Sequence, residues 1–130
     1  MRQRLAAITF LCAEYDEAIR WFSEALGFDL VEDTALGDGK RWVRVAPPGG
    51  AGPALLLARA ATPEQRARIG NQAGGRVFLF LETDDCARDH AALTARGVAF
   101  REAPRREAYG TVAVFVDLYG NQWDLIEPRR

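Results

Sequence analysis

Val114-Phe115-Val116-Asp117-Leu118-Tyr119-Gly120-Asn121-Gln122-Trp123-Asp124-Leu125-Ile126-Glu127 reads as a β-hairpin near the C-terminus. Two runs of β-branched and aromatic residues flank Asp117 to Asn121, where Asp and Asn side chains can satisfy the turn backbone and Gly120 can take positive φ. In the second run, alternation puts Asp124 and Ile126 on one face and Trp123, Leu125 and Glu127 on the other. One face therefore carries a carboxylate beside apolar residues.

Outward from this hairpin, composition sets the bounds. The chain has 130 residues, 48% of them hydrophobic and 27% charged, with a formal net charge of −1. That balance fits a globular protein with a real core and excludes both a disordered chain and a basic nucleic-acid footprint. No apolar run approaches the roughly 20 residues that a membrane span requires, so a cytoplasmic protein is expected. Cys12 and Cys86 are the only cysteines and have no CxxC spacing, which excludes a thiolate zinc site and predicts two free, partly buried thiols.

Leu5 to Leu11 is a strand candidate. Glu14-Tyr15-Asp16-Glu17 opens a helix over about 15–26, with Ala18, Ile19, Phe22, Ala25 and Leu26 as its apolar stripe and Gly27 as its stop. Phe28 to Glu32 and Arg41 to Ala46 are strands around the hairpin signal Asp38-Gly39, Pro47 to Pro53 is a loop, and Ala54 to Ala58 is a strand with both faces covered. Thr62-Pro63-Glu64-Gln65 has capping-box spacing and predicts a short helix ending before Gly70. The pattern then restarts. Arg76 to Leu81 is a strand, Asp84-Asp85 begins a helix over about 84–96, Val98 to Arg101 extends, and Pro104 to Gly110 is a loop before the final hairpin.

Ala25-Leu26-Gly27-Phe28 and Ala95-Arg96-Gly97-Val98 occupy the same place in two strand-helix-strand-strand-strand units. This internal repeat predicts one domain of two units, about 4–58 and 76–128, joined by a linker with a short helix over about 62–75. Neither unit is large enough to bury its own sheet face, so the fold expected is α+β, a curved mixed sheet with helices outside and a ligand groove on the concave face.

With the repeat in place, the helix Tyr15-Asp16-Glu17-Ala18-Ile19-Arg20-Trp21-Phe22 followed by Leu26-Gly27-Phe28, and the stretch Asp117 to Leu125, resemble the vicinal oxygen chelate superfamily. That group contains glyoxalase I, bleomycin-resistance proteins and extradiol dioxygenases. The resemblance implies a βαβββ duplication and, in the metalloenzymes, a divalent ion such as Zn, Ni, Mn or Fe on His, Glu or Gln ligands from the first and last strands of each unit. Those positions fall near Ala7, Leu56 and Phe78 and at Asp124, so only Asp124 is an oxygen donor. The resemblance also points to a homodimer.

Beside each functional reading stands a plainer one. Asp124 can act as acid or base in an apolar groove with its pKa raised, or pair with Arg41, Arg44 or Arg101. Glu82, which shares its strand face with Phe78 and Phe80, can join it in catalysis or end a solvated strand. Trp42 and Arg44 alternate onto one face, where they can stack on and pair with an anionic ligand, or point outward as a pair. His90, the only histidine, falls on the second helix with Cys86 and Leu93, where packing is expected rather than a metal or base role.

The leading expectation is a protein that binds a small organic molecule without metal or other cofactor. Its groove is formed by Ala7, Thr9, Trp42, Arg44, Leu56, Phe78, Phe80 and Ile126. The alternatives are a glyoxalase- or dioxygenase-like enzyme using a divalent metal on an oxygenated substrate, and a metal-independent acid/base enzyme using Asp124 and Glu82.

Overall fold

Strand β1 (Ala7–Cys12) alternates between Phe10 and Cys12, which are fully buried, and Thr9, which is exposed. The helix that follows has its acids, Asp16 and Glu17, in the first turn, where they suit the dipole. α1 (Tyr15–Arg20) passes into a π-wound turn over Trp21–Ala25, and the chain leaves it through Gly27 at φ 73°. Its buried stripe, Ala18, Phe22, Ala25 and Leu26, lies on the first sheet, with the Phe22 ring edge-on to Phe10 at 5.1 Å and tilted against Phe28 at 5.5 Å. Each such ring contributes about 1.5–3 kcal/mol by leaving water.

The computed structural model describes residues 1–130, which form two units, Met1–Ile69 and Gly70–Arg130. In the first, β2 (Asp29–Gly37), β3 (Lys40–Ala46) and β4 (Ala54–Arg59) complete a mixed sheet of order β1-β4-β3-β2, with β1 and β4 parallel and the other pairs antiparallel. Its helix-side face holds Phe10, Val43, Val45 and Leu57 at 0 or 1% exposure. α2 (Pro63–Arg68) buries none of its residues.

The second unit repeats the path. β5 (Val77–Glu82), α3 (Cys86–Ala95), β6 (Ala99–Phe100), β8 (Gly110–Val116) and β9 (Gln122–Pro128) give the order β5-β9-β8-β6, again with first and last strands parallel. Asp85 caps α3 by accepting from the Arg88 amide at 3.0 Å. A run of rings continues from His90 through Phe100 and Phe115 to Trp123, at 4.4, 5.4 and 5.4 Å between successive centroids.

The hairpin that decided the fold is present, with Val116 opposite Gln122 and Val114 opposite Asp124. Its turn is organised by the Asp117 carboxylate, 5% exposed. The carboxylate accepts from the amides of Tyr119 (2.9 Å) and Asn121 (3.1 Å), from Asn121 Nδ2 (3.0 Å) and from Trp123 Nε1 (2.9 Å). The α+β class and the βαβββ repeat are as the sequence indicated.

Several local expectations are corrected. β2 extends past Glu32 to Gly37, because pairing with β3 runs to the Asp38-Gly39 turn, with register breaks between Leu30 and Glu32 and between Ala35 and Gly37. The Pro104–Gly110 loop contains a further strand, β7 (Arg105–Glu107), whose charged residues carry no strand pattern and which forms because the free edge of β8 supplies partners. The capping-box glutamine, Gln65, reaches the amide of Ala61 at 2.7 Å rather than that of Thr62, while Thr62 Oγ1 accepts from the Gln65 amide at 3.1 Å. Both thiols are free but fully rather than partly buried.

Candidate functional site

On the face of the first sheet turned away from α1, register aligns Thr9, Leu56, Arg44 and Glu32 in one row across β1, β4, β3 and β2. Arg44 donates Nε to Glu32 Oε1 at 2.9 Å, so its charge is met across the strands. Trp42 lies two residues further along the same face, 40% exposed, and Ala7 lies opposite Ala54.

At the end of this sheet nearest the β2–β3 turn is a cavity of about 340 Å³. Leu36, Trp42, Leu56 and Ala58 form its apolar wall, and Lys40, Arg41, Arg59 and Tyr15 form its polar end. Tyr15 lies against two guanidinium groups, with Arg41 Cζ 5.2 Å and Arg59 Cζ 5.3 Å from its ring centroid, and its hydroxyl accepts from the Arg41 amide at 3.2 Å. Arg41 also binds Asp33 at 2.7 Å and Asp16 at 2.8 Å, and this hydrogen bonding holds Asp33 below the usual carboxylate range. No short-range pattern marks Tyr15 and Arg59 as residues of a site. They meet because Cys12, at the end of β1, lies beside Arg59 in the parallel ladder.

In the second unit the face away from α3 carries Phe80 opposite Asp124, with Val114 on Asp124's other side, and Glu82 opposite Ile126. Phe80 is 66% exposed. The Asp124 carboxyl is pushed above its ordinary pKa by burial, an effect opposed by the charge of Arg105. Arg105, not Arg41, Arg44 or Arg101, is thus the cation Asp124 feels, and Arg105 is itself paired with Glu102 and Glu107. Phe78 falls where the register of the β5–β9 ladder shifts, between Val77 and Leu79. Glu82, exposed at the strand end, shares a face with Asp124. His90 is held edge-on against Phe100, away from that face.

The donor set does not fit a divalent ion at the positions that resemblance assigns. Ala7, Leu56 and Phe78 offer hydrocarbon, which leaves Asp124 alone, and no three His, Cys, Asp or Glu side chains group anywhere in the chain in a way that could hold a metal. One carboxylate cannot replace the hydration shell of such an ion.

Comparison with known proteins agrees with this architecture. An uncharacterized protein of Shewanella frigidimarina is 54% identical over 128 residues, covering 98% of this chain and 95% of its own. Among solved structures, TnmS3, an antibiotic binding protein from Streptomyces sp. CB03234, is 31% identical with a TM-score of 0.79, covering 98% of each chain. UcmS2 is 28% identical with a TM-score of 0.83, covering 97% of this chain and 98% of its own. Residues 4–125 match the family described as Glyoxalase/Bleomycin resistance protein/Dioxygenase superfamily, and two βαβββ units of identical strand order are what that family's fold requires. The chain belongs to the glyoxalase/bleomycin resistance protein/dioxygenase superfamily.

Proposed function

We propose that this protein binds a small organic molecule on its helix-free sheet faces and does so without a metal. The observation that carries the reading is the hydrocarbon at Ala7, Leu56 and Phe78, where a metalloenzyme of this family would place ligands. Exposed aromatic surface at Trp42 and Phe80, with the aliphatic groups of Leu56 and Ile126 nearby on their respective sheets, supplies what an apolar ligand needs. Similarity to an antibiotic binding protein supports a small-molecule ligand.

The test is thermal unfolding of chelator-treated protein with a panel of natural-product antibiotics, with and without Zn, Ni, Mn or Fe. A ligand that binds only the folded state raises the melting temperature by linkage, and here the rise is expected to be the same with and without metal. Stoichiometric metal held through Asp124, lost with a measurable activity in Asp124→Ala, would overturn this in favour of a glyoxalase- or dioxygenase-type enzyme.

A second reading is favoured by one observation, the raised pKa of Asp124 on a face it shares with Glu82. Two carboxylates in different environments can divide acid and base roles. Metal-free turnover of any substrate, abolished in both Asp124→Asn and Glu82→Gln, would establish it.

The reading includes a cytoplasmic homodimer. Leu30 and Val31 on the edge strand β2 are 44 and 48% exposed, apolar surface that a second copy can cover. The two register breaks in β2 disfavour strand addition, so contact would be through side chains. Sedimentation at micromolar concentration should give a dimer, and a 14.4 kDa species would overturn it.

A further inference from the structure

We propose that the cavity at the β2–β3 turn of the first unit takes an aromatic organic anion, with its ring on Trp42 and its carboxylate on Arg59 and Lys40. This deepens the small-molecule reading above by naming a subsite and a ligand class. A volume of about 340 Å³ lies at the lower end of small-molecule pockets, which run from roughly 300 to 1,000 Å³. The apolar wall is suited to a flat ring, because Trp42 presents a partly exposed indole beside Leu56 and Ala58.

The lining decides the sign of the charge. Three cations, Lys40, Arg41 and Arg59, face one carboxylate, Asp38. The charge of Arg41 is already met by two carboxylates, with Nε and Nη2 on Asp33 and Nη1 on Asp16. Arg59 is held but not saturated. Its Nη2 donates to the Gly39 carbonyl at 3.3 Å and its Nη1 lies 3.7 Å from Glu14, beyond hydrogen-bond distance. The Tyr15 ring steadies the guanidinium, and a side chain at Gly39 would crowd its Nη2 at 3.3 Å. Lys40 is exposed and takes no part in the ion pairs around the turn. A ligand carboxylate beside Arg59 accepts charge-assisted hydrogen bonds from its guanidinium and from Lys40, whereas an ammonium has no lone pair with which to accept them.

Calorimetry with three isosteric probes, naphthoate, naphthamide and naphthylmethylammonium, tests this, with Trp42 fluorescence as a second readout. Naphthoate should bind about tenfold more tightly than naphthamide, the factor that one charge-assisted hydrogen bond provides, and the ammonium most weakly. Arg59→Met should remove most of the preference for naphthoate without changing naphthamide, Lys40→Gln should narrow the gap, the two together should abolish it, and Trp42→Leu should weaken both. Each variant is checked for an unchanged melting curve. Equal affinity for naphthoate and naphthamide would overturn the charge assignment while leaving small-molecule binding intact. A preference for naphthoate that survives Arg59→Met and Lys40→Gln together would overturn the location. If no probe binds, this subsite falls. The broader reading stands in that case if the antibiotic panel still raises the melting temperature of the wild-type protein.

Discussion

Phe80 and Asp124 are direct partners across the parallel ladder of β5 and β9, on the face without a helix. Partial burial of the carboxylate is the physical source of its raised pKa, and the charge of Arg105 opposes it.

Because the folded-state pKa of Asp124 lies above the unfolded value, the folded protein binds the extra proton between the two. Stability contributed by this group is complete below the unfolded pKa of about 3.8 and is lost as pH rises through the folded value. Asp124→Asn should therefore be more stable than wild type at neutral pH and lose that advantage at acid pH. Urea titrations across that range check it, and an advantage independent of pH would refute the assignment.

Asp117→Ala should cost about 3 kcal/mol or more, because it leaves the buried Trp123 Nε1 and two turn amides without an acceptor. Asp117→Asn should not rescue it. An amide cannot present acceptors at both oxygen positions, and donors converge on each of them. Chemical denaturation of the two variants, with near-ultraviolet dichroism following Trp123, reads both outcomes.

Gly70→Ala should be strongly destabilising and Gly74→Ala only mildly so. Both have positive φ, 79° and 65°, but a Cβ on Gly70 would lie 2.1 Å from the Tyr119 carbonyl oxygen, whereas one on Gly74 meets nothing within 4 Å. The backbone penalty common to both is about 1–2 kcal/mol. The excess in Gly70→Ala, read from denaturation midpoints, measures the clash.

Cys12 and Cys86 should not react with thiol reagents in the folded protein at mildly alkaline pH. Burial, then the nearby charges of Glu14 and Glu17, push the Cys12 thiol up to about 12, and Cys86 is raised by burial and by Glu127. Both should titrate fully in denaturant. Rapid labelling without denaturant would show that one of the sheets opens locally.

Phe22→Ala should cost about 3–5 kcal/mol, since the ring is fully buried among Phe10, Trp21 and Phe28 and no neighbour can collapse into its place without disturbing the aromatic cluster. Thermal unfolding checks it.

The features legible in the sequence were those coded locally. Asp38-Gly39 announced its turn, Thr62 and Asp85 their helix caps, and Asp117 to Asn121 the last hairpin, because each depends on a few adjacent residues. β7 was not legible, since Arg105-Arg106-Glu107 is a strand only through the backbone of β8. The register shift at Phe78 was hidden for the same reason. The cavity around Tyr15 and Arg59 depends on parallel pairing between distant segments, which no short-range pattern encodes. Asp117 was readable as a turn residue, but its bond to the Trp123 indole required the register.

In each unit the last strand made is seated between the first strand and the hairpin, β4 between β1 and β3, and β9 between β5 and β8. For a chain emerging from the ribosome this imposes an order. The β2–β3 hairpin can close as soon as Ala46 is free, while β1 has no partner until β4 has cleared the exit tunnel, and its apolar residues stay open to chaperones until then. A nascent chain stalled just after Pro53 should thus be protease-sensitive, and one stalled with Ile69 outside the tunnel should be protected over its first unit.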